Sequence, residues 1–180
     1  LKHATGEIHP LGQEQPVRYD ITKLKQECGQ KIISMDLSWR KDLKEGLQFG
    51  PRWYNYHKLM LGQDTALAEF ALPQEFHHEL AEYYLHPSLM DTATGALSLS
   101  VPRLNKKGAQ KEFALPLSYG RIKIHAPLPA KFYSYFKKIK QGQANDQEGI
   151  AVYDLILLDE KGKALLEIEE FTLKKTKDIN

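Results

Sequence analysis

The feature that most constrains the fold is a single apolar helical segment with strand-like segments on both sides. Within residues 85–100, apolar side chains form one stripe at helical spacing: Leu89, Met90, Ala93, Ala96 and Leu97. Pro87 stands where the first turn of a helix tolerates proline. Because the segment is rich in small residues and almost free of charge, we predict a helix that other elements bury.

Strand-like patterns precede and follow this helix. Residues 57–61 and 66–72 lie before it, separated by turn residues 62–64. Alternating or apolar runs follow it at residues 119–125, 131–140, 150–158 and 164–173. In the loop between the last two runs, Gly162 takes the position that requires a left-handed backbone. A helix wrapped by a curved antiparallel sheet is an α+β arrangement.

The N-terminal part is less regular. The pattern predicts a short strand at residues 2–8, a short helix at 21–27 with Thr22 as its cap, and a second helix at 35–47. Residues 1–173 are predicted to form the domain, and the lysine-rich residues 174–180 a tail or linker stub.

Composition excludes several classes of function. The chain has 25 basic and 23 acidic residues, without the clustered basic face that nucleic-acid binding needs. No apolar run is long enough to span a membrane. The single cysteine, Cys28, excludes an internal disulfide framework and favours a reducing, cytoplasmic setting. The histidine and cysteine spacings match no zinc motif, so no metal is expected. Because the chain begins Leu1-Lys2, we expect an excised piece of a longer polypeptide.

Four short motifs occur in a fixed order along the chain. LHPSLMDTATG at residues 85–95 resembles the H-P-x-x-x-D-x-x-x-Q/H motif of dehydratase domains in modular (type I) polyketide synthases. GLQFGPRW at 46–53, LPLSY at 115–119 and KHATGEI at 2–8 resemble the family's G-x-x-Y/F-G-P-x-F, L-P-F-S-W and H-A-S-G-x-V elements. Each motif alone is weak, but four in register make nearly the whole chain similar to this family.

The resemblance implies a fold, a reaction and partners. Such domains are double hotdogs, in which two halves, each a helix wrapped by a sheet, pack side by side. This chain resembles the C-terminal half. The family eliminates water from a β-hydroxyacyl chain on the phosphopantetheine arm of an acyl carrier protein, and no directly bound cofactor is expected. The implied partners are the N-terminal hotdog half of the same polypeptide, the carrier protein and neighbouring synthase domains. A homodimer stays open.

Asp91 is the residue to which the resemblance assigns catalysis. β-Elimination needs a base for the α-proton and an acid for the leaving hydroxyl. The family takes a histidine from an H-x-x-x-G-x-x-x-x-P motif in the first half, and this chain lacks that motif. On the first turn of an apolar helix, burial favours a protonated aspartate and the helix N-terminus favours its anion. The simpler interpretation of Asp91 is a cap or dipole partner.

Gly95 stands where the family has a glutamine or histidine that orients the aspartate or the substrate hydroxyl. The further candidate residues are assigned to the substrate channel: Phe49, Gly50, Pro51, Trp53, Tyr54, His86, Pro87, Gly95 and Tyr119. Structural interpretations stay open for most of them. These are a turn at Gly50 and Pro51, core packing of Trp53 and Tyr54, shaping of the helix start by His86 and Pro87, and a half-exposed strand position for Tyr119.

Three functions are compatible with these observations. The first is a catalytic dehydratase half with Asp91 as proton donor. The second is a catalytically inactive dehydratase-like scaffold or chain-branching-type domain, which Gly95 and the absent histidine favour. The third, a free-standing thioesterase or hydratase that pairs with itself, is disfavoured by the order of the motifs. All three predict a hotdog with an exposed apolar flank.

Overall fold

A computed structural model describes residues 4–12, 15–35, 49–104, 113–138 and 150–176 of the chain. The two α-helices in these ranges are α1 (Ile21–Glu27) and α2 (Pro87–Leu104). The strands are β1 (Lys31–Ser34), β2 (Tyr56–Leu61), β3 (Thr65–Ala71), β4 (Phe113–Ser118), β5 (Arg121–Ile124), β6 (Lys131–Lys138), β7 (Ile150–Leu158) and β8 (Ala164–Thr176). Two 3-10 segments, Pro51–Trp53 and Gln74–Ala81, complete the described elements.

The strands form one antiparallel sheet in the order β1-β2-β3-β6-β7-β8. The far edge of β8 is shared, because β5 pairs with its first half and β4 with its second half. Between these two pairings Glu170 has a positive φ of 53°, and its backbone N–H donates to Asp154 Oδ1 at 3.0 Å. This irregularity, which also shifts the β7–β8 register, contributes to the curvature of the sheet.

The main core lies between α2 and one face of the sheet. Leu89, Ala93 and Ala96 on the helix are fully buried against aromatic and aliphatic side chains of the strands. Small side chains let the helix approach closely: Ser134 Oγ donates to the carbonyl of Ala93 at 3.1 Å, and the Tyr56 hydroxyl donates to that of Ala96 at 3.2 Å. The predicted helix wrapped by a curved antiparallel sheet is confirmed.

A second, smaller cluster covers the other face of the sheet. Leu24 and Cys28 of the α1 segment pack there on Leu67 and Tyr135, among others. The cap of α1 is Asp20 rather than Thr22, since Asp20 Oδ1 accepts hydrogen bonds from the backbone of Thr22 and Lys23 at 2.9 and 3.1 Å. Burial against the sheet raises the pKa of the Cys28 thiol, which disfavours the reactive thiolate.

The structure corrects several predicted boundaries. Residues 4–8 form no strand, and residues 74–81, for which no element was predicted, form a 3-10 helix. Strand β8 continues to Thr176, past residue 173, because β4 pairs with its end. Of the helix predicted at 35–47, only the buried Met35 lies within the described residues. Strands β1 and β4 were not predicted from the sequence. Helices α1 and α2 and strands β2, β3, β5, β6 and β7 lie close to their predicted positions.

Candidate active site

Asp91 lies on the solvent-exposed side of α2, one turn after the helix begins at Pro87. Its carboxylate oxygen Oδ2 accepts a hydrogen bond from the indole Nε1–H of Trp53 at 2.7 Å. Within the part of the chain that the structure describes, this is the carboxylate's sole hydrogen bond, and Oδ1 has none. The Asp91 side chain is therefore exposed, whereas burial was expected.

Trp53 ends the 3-10 segment that Gly50 and Pro51 begin. The backbone N–H of Trp53 donates to the carbonyl of Gly50 at 3.0 Å, which closes the turn. Pro51 fits the first position because its fixed φ suits a helical turn and it has no N–H to satisfy. The half-buried indole ring contacts Phe49, with ring centroids 6.3 Å apart. The predicted turn thus brings Trp53 to the helix that carries Asp91.

The carbonyl of Arg52 joins this turn to α2. It accepts hydrogen bonds from Ser88 Oγ at 3.0 Å and from Asn55 Nδ2 at 2.9 Å. Asn55 is fully buried, and its Oδ1 accepts from the hydroxyl of Thr92 at 2.6 Å. Because Ser88 and Thr92 flank Asp91 along the helix, the turn is fixed on both sides of the candidate acid.

A charged network lies behind the turn. Arg52 Nε lies 2.9 Å from both carboxylate oxygens of Glu79, and His86 Nε2 lies 2.9 Å from Glu79 Oε2. The hydrogen bonds from Arg52 and then from His86 hold the pKa of Glu79 at about 2. The other ring nitrogen of His86 lies 3.1 Å from Ser88 Oγ. His86 is therefore buried with both nitrogens partnered, as expected for a residue that shapes the start of α2.

Tyr119 approaches Asp91 from the sheet. Its ring stacks on Phe171 of the core with centroids 5.0 Å apart, while part of the side chain stays exposed. Burial raises the pKa of the Tyr119 hydroxyl, a hydrogen bond with Thr94 opposes that shift, and the nearby charge of Asp91 adds to it. The hydroxyl therefore stays protonated at neutral pH beside the candidate acid.

The structure thus brings together four of the predicted site residues: Asp91, Trp53, Phe49 and Tyr119. Gly50 and Pro51 build the turn, and His86 and Pro87 form the start of the helix. Gly95 lies half-buried one turn after Asp91, and Tyr54 is the half-buried residue that follows the 3-10 segment. Five residues that hold the turn were not predicted from the sequence: Arg52, Asn55, Glu79, Ser88 and Thr92. Arg52, Ser88 and Thr92 lie inside the family motifs, whereas Glu79 has no signal in the sequence.

Three further observations concern the rest of the described residues. A cavity of about 150 Å³ lies elsewhere on the sheet, and none of its lining residues belongs to the Asp91 cluster. No group of histidine, cysteine and acidic residues within the described ranges could hold a metal ion. Among these residues, no helix combines the length and the apolar character that crossing a membrane requires.

The fold and the site define a class of protein: a helix-and-sheet domain with an exposed aspartate on its central helix. Residues 19–179 match the family model described as polyketide synthase dehydratase N-terminal domain. The chain therefore belongs to the polyketide synthase dehydratase family. A curated relative, polyketide synthase PksM of Bacillus subtilis (strain 168), is 26% identical over 173 residues, which are 96% of this chain and 4% of that protein.

Solved dehydratase structures have the same fold. A dehydratase domain of a trans-AT polyketide synthase from Brevibacillus brevis superposes with a TM-score of 0.74 at 23% identity. An inactive aspartate-to-asparagine mutant of the CurK dehydratase superposes with a TM-score of 0.71 at 21% identity. The matches cover 91% and 93% of this chain but 55% of each dehydratase chain. The predicted hotdog fold is confirmed, and the chain spans about half the length of these domains.

Proposed function

We propose that this chain is the C-terminal hotdog half of a polyketide synthase dehydratase and that Asp91 is its proton donor. The reaction eliminates water from a β-hydroxyacyl chain that an acyl carrier protein presents on its phosphopantetheine arm. The base is a histidine of the N-terminal hotdog half of the same polypeptide. The assignment to the C-terminal half rests on the motif around Asp91 alone. The matched family model does not support it, because that model is described as an N-terminal domain.

One observation carries the proposal: among the described residues, Trp53 holds one carboxylate oxygen of Asp91 at 2.7 Å and the other oxygen has no hydrogen bond. A proton donor needs a fixed position and an oxygen that the substrate can reach. An aspartate that capped a helix would instead bind backbone N–H groups at the first turn. Asp91 lies one turn further in and binds none of them within the described residues.

The chemistry follows from this arrangement. As the base takes the α-proton, the electrons of the C–H bond form the α,β double bond and the bond between the β-carbon and its hydroxyl oxygen breaks. The protonated Asp91 gives its proton to that oxygen, which leaves as water. The two proton transfers are opposite tasks, and in this proposal they are divided between two groups whose environments set their pKa values apart. An inactive aspartate-to-asparagine mutant of a dehydratase with this fold supports an aspartate in such a role.

An exposed apolar edge beside the site supports a second half. Ile122 and Ile124 of β5 are exposed, although they pair with the buried Ile168 and Leu166 of β8. Tyr119 joins this edge to Asp91. A partner half packed there would bury the apolar side chains and enclose Asp91, and burial favours the protonated form of a carboxyl group, which is the form that donates a proton. The carrier protein and neighbouring synthase domains complete the proposed set of partners.

Gly95 favours a second candidate, a dehydratase-like scaffold or chain-branching-type domain without activity. A glycine one turn after Asp91 supplies no side chain to orient the acid or the substrate hydroxyl. This candidate shares the fold and the apolar edge, so activity alone separates the two.

The experiment is an elimination assay on a polypeptide that contains this chain and the preceding hotdog half. A β-hydroxyacyl carrier protein is the substrate, and mass spectrometry follows the loss of one water from the acyl chain. We expect water loss. A folded protein that binds the loaded carrier but releases no water would contradict the enzymatic proposal and favour the scaffold.

A further inference from the structure

Asp91 requires support that its own helix does not give. Residues four apart on a helix share a face, so a side chain at position 95 could hydrogen-bond the Asp91 carboxylate. Gly95 has no side chain, and a free aspartate rotates among several rotamers. A proton donor that samples several orientations spends less time in the productive one. The support must come from another element.

Trp53 supplies the missing contact from outside the helix. We infer that Trp53 is the positioning residue of Asp91: its indole N–H holds Oδ2 and leaves Oδ1 as the oxygen that delivers the proton. This inference rests on the proposed function, because it assumes that Asp91 acts as an acid. The 2.7 Å distance from Nε1 to Oδ2 is that of a hydrogen bond to a carboxyl oxygen.

Trp53 can hold the carboxyl group because its own position is fixed. The Arg52 carbonyl beside it is bound by Ser88 and Asn55, and Arg52 is bound through its side chain by Glu79. The indole ring also packs on Phe49. A hydrogen-bond donor on a rigid turn fixes the orientation of its acceptor. A donor on a mobile loop would instead move together with the acceptor.

The chemistry of the indole suits this task. The Nε1–H group of tryptophan only donates and has no acceptor capacity. It therefore cannot take the catalytic proton from Asp91, and it cannot bind the protonated oxygen as an acceptor. The proton of the acid is directed to Oδ1, which no group among the described residues hydrogen-bonds.

The test combines activity with a direct observation of the contact, in the polypeptide that contains both hotdog halves. Trp53→Phe keeps an aromatic ring on the turn but removes the donor. We expect kcat to fall about tenfold or more and KM to change little, because binding of the acyl chain does not use this hydrogen bond. Adding Gly95→Gln in the Trp53→Phe background should restore part of kcat, since a glutamine amide at that position can donate to the same carboxylate.

The contact itself is measured by nuclear magnetic resonance. The indole N–H signal of Trp53 is assigned by its loss in Trp53→Phe, which separates it from that of Trp39. We expect this signal to shift in Asp91→Asn and on titration of the carboxyl group. Once the signal is assigned, this arm depends neither on activity nor on a Trp53 variant.

The outcomes separate the inference from the function on which it rests. An unshifted indole signal in Asp91→Asn would overturn the contact. If the wild type is active, two results would overturn the positioning role and leave the proposed function standing. One is an unchanged kcat in Trp53→Phe, and the other is a loss of kcat that Gly95→Gln does not restore. If the wild type shows no turnover while the indole signal still shifts in Asp91→Asn, the proposed function is wrong. The contact between Trp53 and Asp91 would then exist without a role in catalysis.

Discussion

Among single residues, Glu79 decides how the turn next to Asp91 is held, although it does not touch the carboxylate. It is the acceptor for both Arg52 and His86, which belong to different elements. A charged acceptor with two cationic or polar donors is strongly favoured over its protonated form, which is why the pKa of Glu79 is about 2.

Glu79→Gln is expected to destabilise the protein at neutral pH. Because the native pKa of Glu79, about 2, lies below its ordinary value of 4.5, its stabilising contribution is present above pH 4.5 and is lost as the pH falls towards 2. The difference in urea midpoint between wild type and Glu79→Gln should therefore shrink between pH 7 and pH 3. Glu75→Gln, an exposed position of the same 3-10 helix, is the control and should change little at either pH. A difference independent of pH would contradict this assignment.

Sequence alone identified the candidate acid but not what holds it. Asp91 and the Gly50-Pro51-Trp53 turn lie in motifs whose residue types are recognisable. The contact between Trp53 and Asp91 joins two segments 38 positions apart, and no local pattern encodes it. Glu79 lies in a segment without helical or strand periodicity, so its pairing with Arg52 and His86 appears only in the folded chain.

Among elements, the β7–β8 hairpin connects the sheet to the N-terminal segment. Gly162 in its loop has φ of 80°, as its position in the sequence predicted. The backbone N–H of Tyr19 donates to the Gly162 carbonyl at 2.8 Å, and that of Ala164 donates to the Val17 carbonyl at 2.9 Å. Tyr19 therefore passes directly over the glycine, and no residue with a Cβ fits beneath it.

Gly162→Ala should destabilise the protein by about 1–2 kcal/mol or more. An alanine at this φ is strained, and its Cβ would overlap the carbonyl oxygen of Tyr19. Gly6→Ala is the matched control, because nothing lies within 4 Å of a Cβ built there. Its effect should stay within about 0.5 kcal/mol. Equal urea midpoints for the two variants would contradict the close approach of Tyr19.

The helices and strands were predicted where a pattern of apolar residues runs over many positions. They were missed where a strand forms only because it pairs with a neighbouring strand. The stripe on α2 and the runs of β7 and β8 have clear periods over eight or more residues. Strand β1 has four residues and exists because it pairs with β2 along its whole length. The end of β8 likewise depends on pairing with β4. The lysine-rich residues near 174 were therefore not predicted to form a strand.

For the whole molecule, the central question is what covers the β4–β5 edge. The edge carries exposed apolar side chains next to the core, and Tyr119 links it to Asp91. Another exposed isoleucine, Ile32, lies at the opposite end of the sheet on β1. Substitutions at Ile122, in the proposed interface, can therefore be compared with the same substitutions at Ile32, on an exposed edge outside that interface.

Ile122→Lys should destabilise the polypeptide that contains both halves, since burial of an isoleucine contributes about 1.5–3 kcal/mol. The same substitution at Ile32 should have little effect there. In the chain without the other half both positions are exposed, so both substitutions should be close to neutral. Urea midpoints of the four proteins provide the measurement. Equal effects of the two substitutions in the joined polypeptide would show that the second half does not cover β5.

The most direct test of the central claim is the rate of water elimination by the joined polypeptide with Asp91→Asn. Asparagine keeps the size of the side chain and the acceptor for Trp53 but has no acidic proton. We predict that kcat falls by about 10²–10⁴-fold, the usual contribution of a positioned acid, while the loaded carrier still binds. Asp64→Asn, in the exposed turn between β2 and β3, should keep the wild-type rate. Full activity of Asp91→Asn would contradict the account.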